Sequence, residues 1–419
     1  VISINNDPDQ VMTMNNHPTL LLTGTLSATL KDRTIILAVT GSIAAVRTIE
    51  LARELVRHGA IVRAVMSPAA QGIIHPDALH YATGHPVITR ITGAVEHVEY
   101  CGENGTADLL LVAPCTANTI SKMALGIDDT PPATFATTAM GSGIPVLVVP
   151  AMHGSMYDHL AVRENIGKLK GMGVRLMDPL IDEKTAKIAA NDDIILEVQR
   201  ILGDDSLGGK KVVITGGGTM ERIDAIRVFT NRSSGRTGVE LAREAYRRGA
   251  DVTLVHPQPQ GLYGITEVEA VSAKDMIRSV LDGIKMGCDL FISSAAISDY
   301  TVEPVDHKIK SGQEALTLTF RPAPKLTQMV REKYPDLDII GFKAEANVDQ
   351  DGLIASAKEL MAKYGLSMVV ANDVGKGGMG TRNNAVYILD RSGGETGPVT
   401  GDKQLIAGAV LDRFTEVNG

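Results

Sequence analysis

The sequence predicts an α/β protein of two three-layer αβα domains, each a parallel sheet wrapped on both faces by helices. Three observations carry this. Apolar runs of strand length alternate with amphipathic stretches, as where Thr34–Val39 precedes a helix with Ile49, Ala52, Leu55 and Val56 on one face. Helices stop at glycines from which a new strand starts, Gly59 and Gly249 being two cases. The plan also begins twice: Glu50-Leu51-Ala52-Arg53-Glu54 recurs as Glu240-Leu241-Ala242-Arg243-Glu244, and a Gly-Ala pair follows each at 59–60 and 249–250. Duplication and convergence on one good helix-to-strand design explain the echo equally well. Both give two Rossmann-like units.

In chain order, the strand Thr34–Val39 closes on Thr40-Gly41-Ser42, with about two residues before the helix. Gly41, Ser42 and their amides then sit at a helix N-terminus, which is an anion cradle. Ile61–Met66, Leu109–Val112 and Pro145–Val149 are the next strands. The polar, glycine-rich run Gly203-Asp204-Asp205-Ser206-Leu207-Gly208-Gly209 is a linker. It separates a domain at 31–203 from one at 208–419. Residues 1–30 match neither plan, and their His17-Pro18-Thr19 and Gly24 suit an arm packing on a neighbouring subunit. The second domain opens with the strand Lys211–Thr215, the loop Gly216-Gly217-Gly218 and a helix over Thr237–Arg248. The 20 residues from Gly216 to Gly235 carry Arg222, Asp224, Arg227, Asn231, Ser233 and Ser234. A loop that long inside a compact unit is usually functional.

Composition narrows the function. Neither first loop reads G-x-G-x-x-G and no G-x-x-x-x-G-K-[ST] occurs, so dehydrogenase and P-loop readings lack their fingerprints. An NAD(P)-dependent reductase of two Rossmann-like units therefore remains only as a rival. The net charge of −8 offers no global reason to bind nucleic acid or anionic membrane. Aromatic residues make up 4% and Trp is absent, which disfavours a stacking platform for single strands. Apolar runs such as Ile144–Met152 and Leu109–Pro114 fall far short of the roughly 20 residues that span a bilayer. The polar N-terminus lacks the make-up of a secretory signal. Cys101, Cys115 and Cys288 cannot all pair and show no metal-ligand spacing, so reduced thiols in the cytoplasm are expected.

Four segments of the first domain should converge at the carboxyl edge of its sheet, where open α/β sheets bind ligands. They are Thr40-Gly41-Ser42-Ile43-Ala44-Ala45, His97-Val98-Glu99-Tyr100, Ala113-Pro114-Cys115-Thr116-Ala117-Asn118-Thr119 and Pro150-Ala151-Met152-His153. Singly, each has an ordinary reading: a surface histidine, a strand exit, a helix cap. Together and in this order they resemble the flavin-dependent cysteine decarboxylases, which include phosphopantothenoylcysteine decarboxylase and lantibiotic-processing enzymes. The resemblance covers about residues 31–200. It implies FMN with its phosphate on Gly41, Ser42 and Ile43, and Ser67, Pro114, Thr116, Ala117, Asn118 and Thr119 lining the flavin. It makes His97 the active-site base, and Asp128, Asp129, Met152 and His153 substrate-binding residues.

The chemistry explains the flavin. Loss of CO2 from a cysteine carboxylate leaves a carbanion without a sink. Oxidising the CH2–SH to a thioaldehyde supplies one, and the enethiol formed is then reduced by the same flavin. His97 suits the proton transfers because its charge can change near neutral pH. The chain departs from the pattern at His153 and at Asp128, where the family usually has Asn. The family's flap cysteine is also missing: Ile181–Ala190 offers only Asp182, Glu183, Lys184 and Lys187 as charged groups. A non-catalytic, FMN-binding regulatory flavoprotein is the second rival, and His97 argues against it.

The second domain has its own ordered set. Gly216-Gly217-Gly218-Thr219 precedes Ile223-Asp224-Ala225-Ile226-Arg227 and Asn231-Arg232-Ser233-Ser234-Gly235. Ala295-Ala296-Ile297-Ser298-Asp299-Tyr300, Lys308-Ile309-Lys310, Gly341-Phe342-Lys343-Ala344-Glu345, Ala371-Asn372-Asp373-Val374 and Asn383-Asn384-Ala385 follow. Alone, Ser233-Ser234-Gly235 would be a helix cap, and Lys308 and Lys310 solvated strand charges. The full series resembles phosphopantothenate–cysteine ligases over residues 210–415. The resemblance implies activation of 4′-phosphopantothenate by CTP as an acyl-cytidylate, which the cysteine amine then attacks. It assigns Lys308 to the transferring phosphate with Lys310 beside it, and Asn231 to the acyl intermediate. Gly216–Thr219 and Ser233–Gly235 would offer amides to phosphate. Ala295, Asp299, Pro324, Lys325, Leu326, Thr327 and Phe342 would surround the nucleotide, with Lys358 and Lys363 nearby and Mg2+ bridging phosphate oxygens. The base preference, CTP or ATP, stays open. Fusion of the two families belongs to coenzyme A biosynthesis, and Lys343 and Asp128-Asp129 sit closer to archaeal forms. Trimers of one domain and dimers of the other imply a homo-oligomer, a dodecamer.

Overall fold

The computed structural model describes residues 17–182, 185–311, 315–375 and 383–418. The chain divides into two compact units at the Gly203–Asp204 junction.

The first unit is built on a five-stranded parallel sheet, in the order Ile61–Met66, Thr34–Val39, Leu109–Cys115, Val146–Pro150 and Arg175–Leu176. Ile35 to Val39 and Leu109 to Val112 have no exposed surface, which is why their sequence is continuously apolar rather than alternating. Each such buried Leu or Ile contributes roughly 1.5–3 kcal/mol. The helix Thr48–Arg57 buries Thr48, Leu51, Ala52, Leu55 and Val56 and ends before Gly59, whose φ of +102° favours glycine. Strand order reverses between Thr34–Val39 and Leu109–Cys115, so the crevice of a doubly wound sheet lies there.

Two details differ from the sequence reading. The turn after Thr34–Val39 is a 3-10 helix, Ile43–Arg47, and the α-helix begins only at Thr48. Residues 17–30 pack on their own unit: the Thr19 hydroxyl donates to the Tyr81 carbonyl, His17 stacks on His80, and Leu26 N–H donates to Arg57 O at 2.9 Å.

The second unit holds an eight-stranded sheet. Thr266–Glu269, Asp251–His256, Lys211–Thr215, Leu290–Ser293, Asp338–Glu345 and Met368–Asp373 run parallel in that order. Asn383–Asp390 and Glu395–Asp402 add an antiparallel edge. The helix Arg236–Arg247 starts one residue earlier than its apolar face predicts, with Gly235 as N-cap. Beyond its end, Arg248 is buried and reaches Asp412 at 2.6 Å and the Gly408 carbonyl at 3.2 Å. That fixes the last helix, Lys403–Asn418, against Arg236–Arg247. The long loop is not wholly irregular: Met220–Arg222 and Val228–Thr230 form an antiparallel hairpin, and Tyr300–Val302 pairs with Phe320–Pro322.

Candidate active sites

In the first unit, three segments are tied together at the strand-order reversal. The Thr40 hydroxyl donates to Pro114 O at 2.7 Å and accepts from Thr116 N at 3.0 Å. Thr116 caps the helix Ala117–Leu125 by accepting from Thr119 N, and its hydroxyl meets that of Thr119 at 3.1 Å. Ser67 N donates to Val39 O, while its hydroxyl caps Pro68–Gln71. A Cβ on Gly41 would stand 2.5 Å from the Ala69 Cβ, so only glycine lets this loop approach so closely. Ser42 caps the 3-10 turn through Ala44 N, Ile43 is exposed, and Asn118 is exposed beside the buried Ala117.

His97 lies on a short helix, Glu96–Cys101, entered through Val95 in the left-handed region. Its Nδ1 is enclosed and has no hydrogen-bond partner among the described residues. A buried imidazole nitrogen left open calls for a ligand or substrate to complete it. The glycine-dependent cradle at Gly41 makes the edge of the sheet fit a bound flavin. Met152 is buried on the strand Met152–His153, whereas His153 is exposed and caps Gly154–Tyr157. Asp128 and Asp129 are exposed, and Asp129 pairs with Lys122 at 2.7 Å. Of the flap residues, Glu183 and Lys184 lie outside the described residues, and Lys187 is exposed.

In the second unit, two clefts open along the carboxyl edge of the sheet, of about 180 and 430 Å3. The larger falls within the range of small-molecule sites and the smaller below it. They adjoin, because Ala295, Ala296, Phe342 and Ala344 belong to both walls. The larger holds Asn231, Asp299, Pro324, Lys325, Leu326 and Thr327. Asn231 Nδ2 donates to Ala296 O at 3.0 Å, and Lys325 pairs with Asp299 across the mouth. Lys343 also lines this cleft, held by Glu345 at 2.9 Å. The smaller holds Gly217, Ser233, Ser234 and Gly235. Gly216, Gly218 and Thr219 are buried beneath, the Thr219 hydroxyl accepting from Ser298 N at 3.0 Å. Apart from four lysines, the nucleotide-binding set read from the sequence thus lies along or beneath the two clefts.

Four predicted lysines line neither. Lys308 and Lys310 are exposed on a segment clamped at Ile309: its N–H donates to Asp224 Oδ2, and its carbonyl accepts from Arg227, both at 3.1 Å. Lys358 lies 3.9 Å from Glu395, and Lys363 covers the Tyr364 ring. Conversely, Lys403, Arg236, Asn372 and Asn384 line the smaller cleft. The two asparagines lie in runs that the sequence singles out without a role. Lys403 gives no local signal at all. Among the described residues no group of three or more His, Cys, Asp or Glu could hold a metal, and no helix is long and apolar enough to cross a membrane.

Residues 23–203 match the family described as flavoprotein, and residues 207–417 that described as DNA/pantothenate metabolism flavoprotein C-terminal domain. The chain is 46% identical to the coenzyme A biosynthesis bifunctional protein CoaBC of Thermococcus kodakarensis, over 90% of this chain and 93% of that protein. It is 39% identical to CoaBC of Methanocaldococcus jannaschii, over 96% and 98%. A solved C-terminal domain of CoaBC is 26% identical and covers 51% of this chain and 98% of its own, with a TM-score of 0.43. The chain belongs to the family of coenzyme A biosynthesis bifunctional proteins, which joins a flavoprotein decarboxylase unit to a phosphopantothenate–cysteine ligase unit.

Proposed function

We propose that the second unit condenses 4′-phosphopantothenate with cysteine through a CTP-derived acyl-cytidylate, and that the first decarboxylates the product with FMN to 4′-phosphopantetheine. The observation that carries the ligase half is the pair of adjoining clefts. Acyl activation needs a nucleotide and an acid in contact over one shared wall, here Ala295, Ala296 and Phe342. Asn231 stands beside that wall with Nδ2 committed to Ala296 O, which leaves Oδ1 to orient the attacking amine. Asp299 and Lys325 receive the nucleoside, and magnesium enters on the triphosphate rather than in a site of its own. Lys308 and Lys310 reach a phosphate only if the segment clamped by Asp224 closes over a cleft or serves a second copy.

A second copy is supported by the exposed apolar side chains Ile226, Val228, Phe229, Tyr300 and Phe320. Phe229 and Phe320 sit edge to face at 5.1 Å, joining the two hairpins in one apolar patch suited to self-association. A homo-oligomer follows from that reading; the dodecamer is what the resemblance of the two domains to trimeric and dimeric families implies.

In the first unit, bound FMN supplies the reversible oxidation that gives the departing CO2's electron pair a sink. The residues around Gly41, Ser42, Ser67 and Thr116 hold it, and His97 offers its open Nδ1 to a proton or a hydrogen bond in the reacting groups. Purified protein should be yellow. With CTP, cysteine and 4′-phosphopantothenate it should release pyrophosphate and then CO2. Colourless protein that still releases CO2 would sink the flavin half, and absence of pyrophosphate the ligase half.

A further inference from the structure

The larger cleft of the second unit holds a cation that the ligase reading leaves without a task. Of the described residues that line it, the charged ones are Asp299, Lys325 and Lys343. Asp299 and Lys325 pair with each other, and both are exposed. Lys343 differs from them. It is half-buried near the end of the strand Asp338–Glu345, and its counter-ion Glu345 is not among the lining residues. Successive side chains of a strand turn to opposite faces. Phe342 and Ala344 accordingly line both clefts, whereas Lys343 lines the larger alone.

Two contacts turn Lys343 from a loose lysine into a fixed donor. Glu345 Oε1 lies 2.9 Å from its Nζ and accepts from the Ser356 hydroxyl at 2.8 Å. The helix Gln350–Tyr364 thus holds the carboxylate that holds the ammonium. Those two bonds keep the Glu345 carboxyl below its usual range, hence ionised at neutral pH. One ammonium N–H is committed and two remain. The same helix presents Leu360 and Tyr364 to the cleft, while Lys358 faces Glu395 and Lys363 covers the Tyr364 ring. Leu366 completes this wall, pressed on the strand so closely that a Cβ at Gly341 would stand 2.7 Å from its Cδ1. An apolar wall suits the face of a flat ring, and an ammonium beside it suits an acceptor on the ring's edge or its sugar. A phosphate is better served in the other cleft, where Gly217, Ser233 and Ser234 offer amides and hydroxyls.

We propose that Lys343 is a nucleoside-binding residue of the ligase unit, donating from Nζ to an uncharged acceptor on the pyrimidine edge or to the ribose 2′-hydroxyl, with Glu345 as the residue that positions it. The inference rests on the ligase reading above and deepens it by naming the part of the nucleotide that the larger cleft reads. Base and sugar offer an ammonium the same chemistry, and the choice of nucleotide separates them.

The test is steady-state pyrophosphate release by the full chain, wild type, Lys343→Met and Glu345→Gln, with KM determined for CTP, dCTP, ATP and 4′-phosphopantothenate. Methionine keeps an apolar stem of similar length without the charge. Loss of a hydrogen bond from a charged donor should raise KM for CTP about tenfold or more in Lys343→Met, with KM for the acid unchanged. Glu345→Gln should move the same constant in the same direction by less, because the ammonium remains and only its aim is loosened. A rise for CTP and ATP that is absent for dCTP identifies the 2′-hydroxyl. A rise for CTP and dCTP that is absent for ATP identifies the pyrimidine edge. An equal rise with all three nucleotides places the contact on a group they share, the phosphates first among them, and overturns the proposal. So do a rise confined to the acid and KM values within twofold of wild type in Lys343→Met of unchanged melting temperature. Should Lys343→Met melt early, Glu345→Gln decides alone: the same nucleotide pattern supports the proposal, and unchanged KM values overturn it. Wild-type chain that makes no pyrophosphate from any nucleotide rejects the ligase reading itself, a failure visible before any variant is made.

Discussion

Single side chains decide the chemistry in both units. His97 has a geometry that asks for a partner, through an enclosed Nδ1 that no group among the described residues satisfies. Replacing it by Asn keeps polarity and volume but removes a group able to exchange a proton near neutral pH. His97→Asn should retain flavin absorbance and pyrophosphate release while CO2 release falls by about 10²–10⁴-fold. Unchanged CO2 release would take His97 out of the reaction. Asp224 acts at a distance from either cleft. Its buried carboxylate accepts from Ile226 N and Arg227 N at 2.7 Å, from Ile309 N at 3.1 Å and from the Arg227 guanidinium at 2.5 Å. It thus joins the loop before Asn231 to the peptide between Lys308 and Lys310. In Asp224→Asn an amide N–H₂ would face donors in place of an acceptor. Pyrophosphate release should drop about tenfold or more with decarboxylation intact. Wild-type ligase turnover in that variant would show that the Lys308–Lys310 segment is not needed where Asp224 holds it.

At the scale of elements, legibility followed burial. Thr34–Val39, Ile61–Met66 and Lys211–Thr215 can be bounded to the residue because most of their side chains are buried and their apolar runs have clear ends. The turn Ile43–Arg47 was hidden for the opposite reason: Ile43 and Val46 are exposed, so their apolar character misleads about where the helix begins. The hairpin strands Met220–Arg222 and Val228–Thr230 are only three residues each, too short for an alternation to register. Site residues follow the same logic. Ser233 and Asn231 stand in glycine-bounded runs that announce a loop at a strand end, whereas Lys403 opens a helix as many solvated lysines do and is buried only by tertiary packing. The contact between Arg236–Arg247 and the strand end Thr215-Gly216 gives this scale its own test. Gly238→Ala puts a Cβ 2.7 Å from Gly216 Cα and 3.2 Å from Thr215 O. Since both neighbours are backbone, the helix must shift, at a cost of about 1–3 kcal/mol. The second unit should melt lower, and pyrophosphate release should weaken through KM as the first-turn amides move. A variant with the wild-type melting temperature would mean that this contact has more slack than its geometry shows.

The molecule as a whole carries two units with different acid-sensitive groups, and that separates their responses to pH. In the first unit, burial lowers His58 and His85, and His85 falls to about 4 with Arg63, His17 and His80 adding to the effect. A histidine depressed in the fold binds its proton more readily when unfolded. Its contribution is present above the unfolded value of about 6.5 and is lost as pH falls toward the folded one. Glu54, raised by burial, works in the opposite sense. In the second unit, the burial of Glu244, Glu267 and Asp390 is outweighed by bonds. Arg247 and Arg248 hold Glu244 low, the Gln260 and Leu262 amides with His256 hold Glu267 low, and Ser392 with Arg413 holds Asp390 low. Their contribution is present above the unfolded carboxylate value of about 4 and is lost only below it. Glu240, raised by burial, opposes them. Between pH 7 and 5, therefore, the first unit should lose stability while the second holds. Calorimetry of the full chain should show the transition that releases the flavin moving down over that interval, with the other nearly fixed. Below about pH 4 the second transition should fall too. Ligase activity measured after incubation at pH 5 and return to neutral should survive conditions that cost the first unit its flavin. If both transitions descend together between pH 7 and 5, or the ligase unit melts first, the division of acid sensitivity between the histidines of one unit and the carboxylates of the other is wrong.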